Sequence, residues 1–93
     1  MGLEFVEFVM TLEEEFKVDI PDKVAQDLRT PRKVYEWLIH ELRADNPNAI
    51  PFGKAWTREQ IIQRTRELIR DQFGVEKFSD DDHFVEDLGI DRA

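Results

Sequence analysis

The 93-residue sequence predicts an all-α fold, a small bundle of three to four helices. Three observations carry that prediction. Apolar residues recur at spacings of three and four in three separate stretches, each stretch is bounded by capping or breaking residues, and no stretch alternates apolar with polar as a strand would. A chain of this length hides only about 60 to 65% of its unfolded surface. It therefore builds one modest core and one domain.

Residues 3 to 16, LEFVEFVMTLEEEF, are rich in helix formers, and Phe5, Phe8, Val9, Leu12 and Phe16 fall on one face. Lys17 to Asp19 lead into Ile20-Pro21-Asp22, where proline can open a short helix through about Asp27 but cannot continue the preceding one. Thr30 suits an N-cap with Pro31 at the first helical position, and Val34, Leu38 and Leu42 supply the stripe of a helix ending near Ala44. Asp45 to Ala55, DNPNAIPFGKA, carries two prolines, a glycine and two asparagines and reads as a linker. Fully extended, it reaches about 35 Å. Thr57 and Gln60 form a capping box, after which Ile61, Thr65, Leu68, Ile69 and Gln72 continue a helical stripe to a left-handed stop at Gly74. The segment from Ser79 to Asp91 is acidic, with Phe84, Val85, Leu88 and Ile90 sufficient to dock one turn.

Composition removes most chemistry. With no cysteine and two histidines, disulfides, thiol nucleophiles and the familiar zinc spacings are all excluded. A formal net charge of -8 repels a nucleic-acid backbone and favours a basic protein partner. The apolar stretch Leu3 to Leu12 is interrupted by Glu4 and Glu7 and is too short to span a membrane, and no signal peptide is evident, so the expected location is cytoplasmic. His40 and His83 have no serine or cysteine nucleophile beside them, and Glu13, Glu14 and Glu15 read as a solvated run rather than an acid and base pair. The expectation is a protein that is not an enzyme. The carboxylates Asp80, Asp81, Asp82, Glu86, Asp87 and Asp91 lack an EF-hand pattern and read as a solvated loop, Arg92 or another base neutralising part of it, with no metal site assigned. Arg58, Arg64, Arg66 and Arg70 are expected to counter acids elsewhere, and Tyr35, Trp37 and Trp56 to serve packing.

The first helix holds more apolar residues than one core face explains. Leu3, Val6 and Met10 form a second stripe bordered by Glu4, Glu7, Glu13 and Glu14. Either the helix is central and buried on two sides, or it presents an apolar strip with an acidic fence to a basic partner surface.

At this point the residues resemble a known family. LEFVEFVMTLEEEFKVDIPD, residues 3 to 22, resembles the second helix of acyl carrier proteins and the loop after it, Thr30 to Leu42 resembles the family's last helix, and residues 57 to 91, ending FVEDLGID, resemble its first helix and long loop. The order is reversed. The resemblance therefore implies a circularly permuted acyl-carrier-like bundle forming one domain over 1–93, with 1–44 as the family's second half, 45–56 as the linker and 57–93 as its first half. On that reading Asp91-Arg92-Ala93 returns to Met1-Gly2-Leu3 at the head of the first helix.

The family carries phosphopantetheine on the serine of an Asp-Ser-Leu motif. Here Asp91 and Leu3 are present, but Arg92, Ala93, Met1 and Gly2 stand between them and no hydroxyl remains. Ser79, the only serine, reads as a cap for the acidic turn after it. No cofactor is therefore expected, the equivalent location lying near Asp91, Arg92 and Gly2. The resemblance also makes the strip on the first helix, Leu3, Glu4, Val6, Glu7, Met10, Glu13 and Glu14, the recognition face. The resulting expectation is a non-enzymatic domain that docks on enzymes of acyl, lipid or polyketide metabolism without its own arm, as a monomer or a segment-swapped homodimer. Alternatives are a genuine carrier with unorthodox attachment and a scaffold unrelated to acyl transfer.

Overall fold

The computed structural model describes residues 3–44 and 56–90. Within them lie four helices: α1 (Leu3–Phe16), α2 (Asp22–Ala25), α3 (Pro31–Glu41) and α4 (Arg58–Phe73). No strand occurs among the described residues. The linker reading of 45–55 and the meeting of Asp91, Arg92 and Ala93 with Met1 and Gly2 lie outside them.

α4 is the central element, packing against both α1 and α3. Its boundaries follow from residue chemistry: Thr57 accepts from Gln60 N at 3.1 Å while the Gln60 side chain accepts from Thr57 N at 3.0 Å, and Gly74 ends the helix at φ 68°. α1 runs antiparallel to α4. Phe8 lies against Phe73, Thr11 donates to Gln72 Oε1, Glu15 pairs with Arg64, and Phe16 packs at a tilt on Trp56, so α1 advances as α4 recedes. α3 begins as predicted, Thr30 Oγ1 accepting from Lys33 N at 3.2 Å.

Two helix ends differ from the sequence expectation. α3 stops at Glu41 rather than near Ala44, because Arg43 adopts a left-handed φ of 57° and Ala44 N donates back to Ile39 O at 2.9 Å. That is a Schellman stop without glycine. Lys17 makes the same kind of stop for α1, which ends at Phe16 as expected, at φ 56° with Val18 N donating to Glu13 O at 3.2 Å. α2 is also shorter than expected, ending at Ala25; beyond its Gln26 cap the chain tightens into three-residue turns, Asp27 N to Val24 O and Leu28 N to Ala25 O.

The core is the face read from α1, with Phe5, Phe8, Val9, Leu12 and Phe16 all buried, joined by Val34, Leu38, Ile61 and Ile69. The segment after α4 closes it. Phe84, 1% exposed, inserts among Phe5, Phe8 and Phe73 with ring centroids 5.6 to 5.9 Å apart. Ile90 is buried as well, and Ile90 N donates to Phe84 O at 2.9 Å, which folds residues 84–90 into the docked turn expected from their apolar spacing.

Candidate functional site

α1 has one buried side and one open side. Opposite its phenylalanines, Val6 and Met10 remain 38% and 55% exposed, the two large apolar side chains that stand in solvent among the described residues. Glu4, Glu7 and Glu14 are exposed around them. The exposed strip, rather than a helix engulfed on two sides, is therefore the arrangement present at these residues. Among the described residues Met10 keeps more than half of its surface in solvent, and its unbranched thioether can adapt to a partner's contour. Leu3 lies in the helix, but its side chain is outside the described residues.

One member of the expected fence is differently employed. Glu13 is half-buried, and its carboxylate accepts from Ile20 N at 2.9 Å, tying the chain after α1 back onto the helix. Its role is local closure. Glu15, read as solvated, instead pairs with Arg64, which also bonds Glu67 at 2.9 Å. Glu7 stays exposed, touching Gln72 Nε2 at 3.4 Å. Among the described residues, Glu4, Glu7 and Glu14 form no ion pair with a basic side chain on this face.

A second constellation forms where Arg66, expected to counter acids elsewhere, meets the acidic segment. Asp80, placed by the sequence in a solvated acidic loop, is instead an anchor: its side chain is 14% exposed and Oδ2 accepts from both Tyr35 Oη at 3.0 Å and Arg66 at 2.6 Å. Its backbone carbonyl takes Arg32 N at 2.9 Å. Arg32 also grips Asp81 through two bonds, of 2.7 and 3.2 Å, which raise the guanidinium's proton affinity and hold the Asp81 carboxyl below the usual carboxylate range. The signal available in sequence was Arg66 sitting beside buried Thr65 on α4, where a cation at the edge of the core needs an anion. Ser79 caps as expected, accepting from Asp81 N at 3.3 Å, and Asp82 returns the bond by accepting from Ser79 N at 2.8 Å.

Among the described residues a groove is floored by Phe16, Leu42 and Trp56 and rimmed by Lys17, Glu59 and Gln63. Its described lining holds no serine, threonine or histidine. Among the described residues no group of His, Asp and Glu is placed to hold a metal ion, and no helix is long and apolar enough to cross a membrane. The location near Asp91, Arg92 and Gly2 falls outside the described residues.

The fold and this face define an all-α bundle presenting one acidic, apolar-striped helix. Comparison with known proteins points the same way over part of the chain. An acyl carrier protein of Syntrophobacter fumaroxidans is 47% identical over 37 residues, which are 40% of this chain and 46% of that protein. One from Thermosynechococcus vestitus is 43% identical over 43 residues, 46% of this chain and 53% of that protein. The mitochondrial acyl carrier protein of Saccharomyces cerevisiae is 40% identical over 48 residues, 52% of this chain and 34% of that protein. The chain thus spans about half, or less, of the length of the curated relatives it matches. No family model matches the chain, and no solved structure does.

Proposed function

We propose that this is a non-enzymatic, acyl-carrier-like domain that docks through α1 on the basic surface of an enzyme handling acyl chains, and that it does so without a phosphopantetheine arm of its own. The observation that carries the reading is the open side of α1, where Val6 and Met10 remain exposed beside Glu4, Glu7 and Glu14. Free carboxylates steer a basic partner in, and the apolar strip supplies contact that is desolvated on docking. The partial similarity to acyl carrier proteins supports the choice of partner class.

The permuted order is part of the same proposal. Its support is the seating of Phe84, from the FVEDLGID segment, 5.6 Å from Phe5 in the first turns of α1. That contact brings the segment resembling the family's long loop to the helix that follows it in the family. Ser79, the serine left in the chain, stands in the acidic turn, where its hydroxyl accepts from Asp81 N, and lies outside an Asp-Ser-Leu motif.

Two measurements test the proposal. Glu7→Lys with Glu14→Lys should weaken binding to a basic acyl-processing enzyme at least tenfold while helicity by circular dichroism stays unchanged; unchanged binding would remove the docking role. Incubation with coenzyme A and a broad-specificity phosphopantetheinyl transferase should leave the intact mass unaltered. A gain of one arm would show a genuine carrier.

A further inference from the structure

His83 takes no part in the proposed docking face, yet its ring is committed to a specific protonation state. Nδ1 accepts from Val85 N at 3.2 Å and from Glu86 N at 3.3 Å. In return Asp87 Oδ2 accepts from His83 N at 2.6 Å, and Asp87 N donates to His83 O at 2.8 Å. The imidazole therefore caps the turn that begins at Phe84, in the manner of a helix N-cap residue. Two amide protons converge on one nitrogen, so that nitrogen must present its lone pair and the ring proton must sit on Nε2.

We propose that His83 is a pH-sensitive cap that tightens residues 84–90 onto the bundle when its ring is neutral and loosens them when Nδ1 is protonated. A proton on Nδ1 removes the acceptor and sets a third N–H against the two already there. No other type of side chain, at its ordinary value, changes charge between about pH 5 and about pH 8. Among the described residues, Asp82, Glu86 and Asp87 are the charged neighbours of His83 along its own segment, and Arg29 meets that segment through its carbonyl, which accepts from Phe84 N at 2.9 Å. The elements packed on the following residue contribute the apolar rings of Phe5 and Phe8 from α1 and Phe73 from α4. The consequence reaches α1 because the capped turn holds Phe84 against Phe5 and ends on buried Ile90, whose amide donates to Phe84 O.

The full chain, labelled with nitrogen-15, decides the matter by resonance spectroscopy between about pH 8 and about pH 5. Ring nitrogen shifts should show an unprotonated Nδ1 at the upper end, and the Val85 and Glu86 amide signals should titrate together with the ring. Hydrogen-exchange protection of the Ile90 amide should fall about fivefold on crossing that titration, the loss expected from one cap. His83→Asn keeps an acceptor oxygen near Nδ1 and should abolish the pH dependence while preserving the high-pH spectrum. His40→Gln, on exposed α3 surface, should leave the titration as it is in the native chain. A proton found on Nδ1 at the upper pH, or Val85 and Glu86 amides that titrate equally in His83→Asn, would overturn the proposal.

Discussion

Tyr35 on α3 donates to Asp80 Oδ2 at 3.0 Å across 45 residues of chain, and the same oxygen takes Arg66 of α4 at 2.6 Å. One half-buried carboxylate thus ties together α3, α4 and the segment that follows α4. Removing it leaves a hydroxyl and a guanidinium without their shared partner. Asp80→Ala is expected to lower stability by about 1 to 3 kcal/mol and Tyr35→Phe by about 1 kcal/mol. The double variant should lose less than the sum, because each single change already breaks the common bond. Denaturant midpoints at constant slope provide the measurement.

The same node makes alkaline stability depend on Tyr35. Burial first, and then the bond to Asp80, push the Tyr35 hydroxyl above the usual tyrosine range. The folded chain therefore holds the phenolic proton more tightly than the unfolded chain does. This contribution is whole below about pH 10, the ordinary tyrosine value, and is lost as pH rises through the higher folded value. Tyr35→Phe should flatten the fall in unfolding midpoint above that pH. Tyrosinate absorbance follows the ionisation directly, since the chain has one tyrosine.

Lys17 and Arg43 hold positions that glycine fills in most left-handed helix stops, at φ 56° and 57°. A side chain there costs about 1 kcal/mol against the steric limit of the left-handed region, partly offset by the greater freedom glycine has when unfolded. Lys17→Gly and Arg43→Gly should each raise stability by up to about 1 kcal/mol, additively because they terminate different helices. Thermal midpoints check it. A loss of stability would indicate that the long side chains contribute more through packing than their backbone angles cost.

These residues also mark where sequence reading stops. The ends of α4 were legible because Thr57, Gln60 and Gly74 carry their roles in their chemistry, and the start of α3 because Thr30 and Pro31 do likewise. The end of α3 was not, since arginine gives no hint of a positive φ; the end of α1 at Phe16 was placed from the following segment and Pro21, without sight of the left-handed Lys17 that makes the stop. Asp80 was hidden for a different reason: an SDDD run reads as solvated, and its burial depends on Tyr35 and Arg66 arriving from distant elements. The second stripe of α1 was visible as a pattern but undecided as to environment, because periodicity places Val6 and Met10 on a face without saying whether another helix covers it.

The contrast between the two sides of α1 gives the last prediction. Phe84 is 1% exposed and touches Phe5, Phe8 and Phe73, so Phe84→Ala should open a cavity in the aromatic cluster and cost about 3 to 5 kcal/mol. Met10, 55% exposed, has no such enclosure, and Met10→Ser should change stability by no more than about 0.5 kcal/mol. If α1 is a docking helix, the ranking inverts for partner binding measured on folded protein: Met10→Ser weakens the complex although the domain is as stable as before. Chemical denaturation and titration calorimetry on the same preparations separate the two effects. Equal destabilisation by both substitutions would mean that Met10 is covered in solution by another part of the molecule, and the open side of α1 would then be lost as a docking face.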